Sequence, residues 1–307
     1  MELTIVIPTK DRGAIFDETL NAAMAAVTGL DAEIIVVNDS KTSKPAVPLD
    51  PVHVRLLNNS KQGVASARNL GAQEASGDVI LFLDDDIIIS PSTIRHILQA
   101  HREKKGIALN PDWVYPPSLL TTLDRSAFGR FLATHNMTTF RGWYADESWR
   151  PDALFPSLSV ASFHLSMYRS DFIRVGGYDE QFPLAGFEDY DFPLRLKRAG
   201  VACYIDTRIV VHHNEQDRVQ LRSWLNNQER RAVTRAIAVQ QGHLELALTF
   251  PWSKRTVLSL LLVLYPLMLG VVKLIPSGVS MDPLEFRLIG ALQAARIYRG
   301  YSMGMKK

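Results

Sequence analysis

The chain is predicted to fold as an α/β domain, with a mostly parallel sheet flanked by helices and a helical C-terminal extension. Apolar runs rich in β-branched residues recur at Leu3–Ile7, Glu33–Val37 and Val79–Leu83, each ending in polar residues. Helix-compatible stretches separate them, which is the alternation that builds parallel sheets. At 307 residues and 47% apolar, the chain is long enough to bury a substantial core.

The elements follow in order. Met1–Pro8 lacks the basic and long apolar regions of a signal peptide and reads as the first strand. Helices are expected over Arg12–Val27, Val64–Ala75 and Ser92–Lys105, the last opened by Ser90-Pro91 as cap and first helical position. Val52–Leu57 supplies a further short strand. Asn110–Pro156 shows little periodicity and reads as a long, partly ordered loop region. It contains Trp113, Tyr115, Trp143, Tyr144 and Trp149, of which Trp113, Trp143, Tyr144 and Trp149 are either packing residues or flat faces for sugars.

Alternation resumes at Val160–Met167, then a short helix ends near Gly176-Gly177, and another spans about Asp189–Ala199 before Gly200. Short strands near Ala202–Ile205 and Ile209–Val211 come next. Asp217–Gln241 reads as a long arginine-rich helix. Val257–Ile275 is almost uninterrupted apolar sequence with Pro266 inside it.

Charge is unevenly distributed. Residues 1–207 hold 20 Lys/Arg against 26 Asp/Glu, whereas residues 208–307 hold 14 against 6. A basic C-terminal third implies an acidic partner, and its hydrophobicity favours a membrane surface over nucleic acid. The single cysteine, Cys203, excludes an intramolecular disulfide framework and a cysteine-based zinc site, which fits a reducing, cytosol-facing location.

In open parallel sheets, ligands bind beyond the carboxyl ends of the strands. Here those ends carry Pro8-Thr9-Lys10, Asn38-Asp39-Ser40 and Asp84-Asp85-Asp86. Three carboxylates leaving one buried strand repel each other and call for a cation. Oxygen-rich sites of this kind suit Mg²⁺ or Mn²⁺ bridged to phosphates, although a solvated acidic turn gives the same string. Glu188-Asp189 opens a helix, where acids also serve first-turn electrostatics, and could deprotonate an acceptor hydroxyl. His212-His213 ends a strand and could offer one imidazole, since strand alternation points the two apart. Asp39 could accept from a nucleobase N–H, while Arg12, Lys61 and Arg68 could meet base, ribose or diphosphate.

Taken in order, Ile5-Val6-Ile7-Pro8-Thr9, Val36-Val37-Asn38-Asp39-Ser40, Gly63-Val64-Ala65-Ser66-Ala67-Arg68-Asn69 and Phe82-Leu83-Asp84-Asp85-Asp86 resemble the family-2 glycosyltransferases of GT-A fold. The likeness continues through Ser166-Met167-Tyr168-Arg169, Gly176-Gly177-Tyr178-Asp179-Glu180 and Gly186-Phe187-Glu188-Asp189-Tyr190-Asp191 to His212, covering roughly residues 3–213. It implies a GT-A (Rossmann-like) catalytic domain over 1–215, with a nucleotide-binding half at 1–109 and an acceptor and catalytic half at 110–215. Residues 216–307 form the helical extension containing the apolar segment 257–275.

The resemblance implies the following roles. Asp86 is the direct Mn²⁺ or Mg²⁺ ligand, Asp84 lies nearer the ribose and metal-bound water, and His212 is the C-terminal histidine at the metal. Asp39 contacts the base, and Pro8, Thr9, Lys10, Arg12, Lys61, Arg68 and Asp85 line the nucleotide-sugar site. Asp189 is the catalytic base, with Glu188 the fallback. The implied reaction is inverting transfer from a nucleotide-diphosphate sugar, UDP-sugar favoured, to a glycan or lipid-linked acceptor.

No Gln-x-x-Arg-Trp string occurs; the nearest, Leu225–Arg231, lacks the tryptophan, which implies single or few additions rather than processive synthesis. A sugar-phosphate nucleotidyltransferase would need a glycine-rich loop after Ile7 that is missing, and a non-catalytic nucleotide-sugar-binding or scaffolding member is disfavoured by intact Asp84, Asp86 and Asp189.

Val257–Ile275 approaches the roughly 20 residues that cross a bilayer, but Pro266 would kink it. Spanning, re-entrant and in-plane arrangements all fit, as does a buried or dimer-interface helix. Basic residues on both flanks fit anionic lipid. The expectation is a cytoplasmic-face enzyme, peripheral or with one C-terminal membrane segment; the sequence sets no oligomeric state.

Overall fold

The computed structural model describes residues 1–48, 53–143, 149–182, 186–216, 219–275 and 278–306. Contacts divide the chain into two compact units: Met1–Tyr115 with Thr139–Asn214, and Pro116–Thr138 with Glu215–Lys307.

The first unit is built on a nine-stranded sheet of order β3-β2-β1-β4-β8-β6-β9-β5, with β7 also pairing β9. Its strands are β1 Leu3–Thr9, β2 Ala32–Asn38, β3 His53–Asn58, β4 Val79–Leu83, β5 Ile87–Ile88, β6 Ile107–Val114, β7 Leu154–Ser157, β8 His164–Tyr168 and β9 Ala202–His213. Its helices are α1 Ala14–Val27, α2 Val64–Glu74 and α3 Pro91–Glu103, then α6 Phe140–Trp143, α7 Arg169–Val175 and α8 Glu188–Arg198. Between α3 and α6, the chain contributes α4 Pro117–Asp124 and α5 Ala127–Thr134 to the second unit, joined there by α9 Leu221–Gln240, α10 Trp252–Val263, α11 Tyr265–Leu274 and α12 Asp282–Gly304.

Strands β3, β2, β1 and β4 are mutually parallel, so their carboxyl ends share one edge. The buried pattern of β1, β2 and β4 is continuous, as expected for strands covered on both faces. Beyond β4, antiparallel β8 links it to β6, which pairs parallel with β9. One sheet face, carrying Val6, Ile35, Val37, Ile80, Phe82, Leu165 and Met167, packs against Ala67 and Ala72 of α2, Phe172 of α7 and Phe192 and Leu196 of α8. Helix α2 lies so close that a methyl at Gly71 would collide with Val6 Cγ1. Ser90 caps α3 by accepting from the Thr93 N–H at 3.3 Å, with Pro91 at its start.

The region 110–156 departs from the expected loop. It holds the rest of β6, helices α4, α5 and α6, and β7. Its periodicity was hidden because β6 is interrupted by a register shift at Pro111/Asp112, and α4 and α5 have only eight residues each. Trp113 and Tyr115 are core residues at 0% and 3% exposure, so Trp113 offers no face to a sugar. Trp149 packs edge-on to Phe140 and Phe155. Tyr144, Val52 and Asp217 lie outside the described residues, as does the side chain of Trp143. The two short strands expected after Gly200 are one, β9.

In the second unit, α12 lies along α9, with Gly300 against the Glu229 carbonyl, where a side chain would not fit. Arg130 of α5 donates to both oxygens of Asp282 at the start of α12 (2.8 and 2.6 Å). Among the described residues no single helix is long and apolar enough to cross a membrane; α10 and α11 together are, but they meet at a 66° bend.

Candidate active site

Each candidate residue of the acidic edge is placed by local structure. Asp11 and Gly13 adopt positive φ (55° and 51°), turning the chain after β1 so that Arg12 lies between them. The Ser43 hydroxyl donates to Asp11 and holds that turn. Arg12 Nε sits 3.2 Å from Asp85 Oδ1, and its Nη2 donates to Asp86 Oδ2 at 2.5 Å. Asp85 also accepts from the Thr9 hydroxyl at 2.8 Å. Burial first, and then Asp86, push the Asp85 carboxyl up to about 7, against the opposing pull of Arg12 and Thr9.

Asp84 is the member left most open, 28% exposed, whereas Asp86 is fully buried. Arg68, buried on α2, donates to Asp84 Oδ1 at 2.6 Å and reaches Glu188 Oε1 at 3.4 Å. Burial raises the Asp84 carboxyl above the ordinary range, with Arg68 drawing it back. Burial, opposed by Asp84 foremost among the neighbouring acids, leaves the Arg68 guanidinium held above its usual range. Glu188 Oε2 accepts from the Gly186 N–H at 2.6 Å, and burial followed by Asp189 lifts its carboxyl to about 7. Asp189 is half-buried and accepts from the Ser162 N–H at 3.0 Å.

At the end of β2, Asp39 Oδ1 accepts from Asn59 Nδ2 at 2.7 Å and from the Gly63 N–H at 2.9 Å. Its other oxygen lies 3.9 Å from exposed Lys10. Pro8 is buried within β1. Lys61, exposed, pairs with Glu180 at 2.8 Å. Glu180 in turn accepts from Asn69, which also grips the Tyr178 backbone through both its amide atoms. A Cβ at Gly177 would stand 2.6 Å from Asn69 Oδ1, and φ there is 68°, so glycine is required for this loop to close on α2.

Of the two histidines, the structure brings His213 and not the expected His212 to Asp86. In β9, Ile209, Val211 and His213 face inward, while His212 faces solvent. His213 Nε2 lies 3.3 Å from Asp86 Oδ1. Its ring sits edge-on to Trp113 at 4.9 Å and stacks parallel to Phe163 at 6.1 Å, so these two aromatic residues position a histidine. With β9 running unbroken to His213, the alternation Ile209, Val211, His213 identifies the inward member. Asn59 and the Ser162 N–H carry no sequence signal of their own, because only the fold brings them to Asp39 and Asp189.

The donor set fits a divalent cation. Asp86 presents Oδ2 to Arg12 and Oδ1 to His213, an oxygen and nitrogen pair that could serve a divalent cation. Arg12 and Arg68 face Asp84, Asp85, Asp86, Glu188 and Asp189, an excess of negative charge that a cation offsets.

A sequence model described as glycosyl transferase family 2 matches residues 4–176, and one described as the N-terminal domain of galactosyltransferase matches 154–214. Validoxylamine A glucosyltransferase of Streptomyces hygroscopicus is 28% identical over 65% of this chain and 52% of its own. The O-antigen biosynthesis protein RfbC of Myxococcus xanthus is 26% identical over 71% of this chain and 18% of its own. The chain thus spans about half the length of the first of these, and much less of the second. A mannosyltransferase of Pyrobaculum calidifontis, solved with GDP-Man and Mn²⁺, shares the fold with TM-score 0.59 at 16% identity, covering 98% of this chain and 87% of its own.

Proposed function

The chain belongs to glycosyl transferase family 2, and on that premise we propose that it moves a sugar from a nucleotide-diphosphate sugar, a UDP-sugar favoured, to a hydroxyl of a glycan or lipid-linked acceptor, with inversion. The observation that carries this reading is the convergence of Asp84, Asp85, Asp86, Glu188 and Asp189 around two buried arginines at the carboxyl edge of the sheet. Mn²⁺ or Mg²⁺ held by Asp86 and His213 would supply Lewis-acid stabilisation of the departing diphosphate.

The rest falls to the protein's own groups. Asp39, with one oxygen fixed by Asn59 and Gly63, orients its other oxygen for a nucleobase donor. Asp84, the open member of the triplet, faces the ribose. Asp189 removes the acceptor proton, because it is half-buried and accessible, whereas Glu188 is 2% exposed and committed to Arg68 and Gly186. Glu188 instead keeps Arg68 aimed at Asp84. Lys61, paired with Glu180 at the rim, and Lys10 beside Asp39 are available to the diphosphate or base. We place the enzyme at the cytoplasmic face of the membrane through 257–275.

The test is a hydrolysis and transfer assay over a panel of nucleotide sugars with Mn²⁺, comparing wild type with Asp86→Ala and Asp189→Asn. Loss of transfer in both variants is expected. Unchanged transfer in both removes the assignment.

A further inference from the structure

Helices α10 and α11 carry an apolar stripe that faces solvent. Val257, Leu260 and the C-cap Leu264 along α10, and Leu267, Val271 and Leu274 along α11, recur at steps of three and four residues, which places each set along one face of its own helix. Their exposures run from 39% at Leu264 to 83% at Leu274. Val263 is exposed beside them, and in this pair only Leu258 is buried. A continuous exposed stripe of this length is not an ordinary surface of a soluble protein.

The charges around the stripe say what covers it. No acidic residue occurs between Glu245 and Asp282, whereas Lys254, Arg255 and Lys273 lie within that span. Trp252, 83% exposed, stands at the first turn of α10, the position where an amphipathic ring meets a headgroup layer. A second copy of this chain would bring the same cations together with no carboxylate to meet them, so self-association through this face is disfavoured. An anionic lipid leaflet matches both the apolar stripe and its cations.

The bend decides how the segment meets the leaflet. Pro266 at the start of α11 withholds a backbone donor and breaks the ladder, and the two helices diverge by 66°. With 12 and 10 residues they measure about 18 and 15 Å at about 1.5 Å per residue, and neither alone covers a hydrocarbon core of about 30 Å. We propose that α10 and α11 lie in the plane of one anionic leaflet as a monotopic anchor, rather than crossing the bilayer. This rests on the membrane placement given above and specifies its geometry.

The experiment uses the full chain with vesicles of phosphatidylcholine alone or mixed with phosphatidylglycerol. Flotation with the mixed vesicles is expected, weakened about tenfold by Leu260→Glu with Leu267→Glu, while transfer to a soluble acceptor is retained. Ser253→Cys and Ser280→Cys, on either side of the pair, should each react with a membrane-impermeant maleimide added outside sealed vesicles; wild type, whose Cys203 is buried, is the blank. Failure to float with either vesicle removes the membrane placement and this inference together. Flotation with one cysteine protected until detergent is added keeps the placement and overturns the in-plane geometry. A dimer that Leu260→Glu dissociates, without vesicle binding, shows that a second copy covers the stripe and also overturns it. Glycosyl transfer by the untouched chain is read separately, so its failure is not confused with these.

Discussion

The acidic edge of the first unit and the apolar stripe of the second break opposite halves of the same rule. At the edge, Asp85, Asp86, Glu188 and Arg68 are charged side chains taken out of water. On the stripe, Leu260, Leu267 and Leu274 are apolar side chains left in it. Buried charge survives at the edge because each group has a partner on another element, as Arg12 has Asp85 and Asp86, and Arg68 has Asp84 and Glu188. The stripe has no comparable partners among the described residues, and the lipid leaflet proposed above is what would cover it. Charge that is paired inside and apolar surface that is unpaired outside are both more informative than a well-formed core.

The comparison can be broken first at Asp86. Asp86→Ala removes a buried carboxylate that Arg12 contacts at 2.5 Å and leaves the guanidinium without it. Arg12 keeps Asp85 at 3.2 Å and Asp85 loses a repelling neighbour, so unfolding free energy in urea is expected to fall by less than the roughly 3 kcal/mol of a wholly stranded buried charge. Transfer should fall by about a thousandfold. A variant as stable as wild type would mean that the edge is not held by its ion pairs.

A test on one helix follows. Leu258, 3% exposed, and Leu260, 58% exposed, are two residues apart on α10. Leu258→Ala should cost about 2–5 kcal/mol, whereas Leu260→Ser should stay within about 0.5 kcal/mol in the same denaturation experiment. Equal costs would show that the stripe is packed in solution.

Asp189→Asn and Glu188→Gln sharpen the edge further. Asp189→Asn should lower transfer by about 10²–10⁴-fold with little change in stability. Glu188→Gln should reduce transfer less, and its chief mark is on pH dependence. The Glu188 carboxyl is raised from 4.5 to about 7, so the folded state keeps a proton that the unfolded chain has released between those values. Its contribution to stability is present below about 4.5 and is lost as pH rises to about 7. In Glu188→Gln, the decline in stability across this window should flatten, and an unchanged slope would reassign it.

Much of this was legible because motifs mark strand ends. Asp39 and Asp84-Asp85-Asp86 follow continuous apolar runs, and a parallel pairing brings such ends to one edge whatever the loops do. The histidine was half legible: the His212-His213 pair stood out, and strand alternation selects His213 only once β9 is known to run unbroken through residue 213. The aromatic residues at 113 and 115 were readable as aromatic but not as buried, because β6 hides its period behind a register shift.

The sequence by itself determined the α/β class, the acidic strand ends, the Glu188-Asp189 helix start and the apolar, acid-free stretch, since each rests on local period or composition. Only the tertiary structure decided which carboxylate each arginine holds, that His213 meets Asp86, that Glu188 is occupied while Asp189 stays accessible, and that the apolar stretch is bent and faces outward. Those depend on contacts between residues far apart in the chain, such as Arg12 with Asp86 and Arg68 with Glu188, whose distances no local pattern encodes.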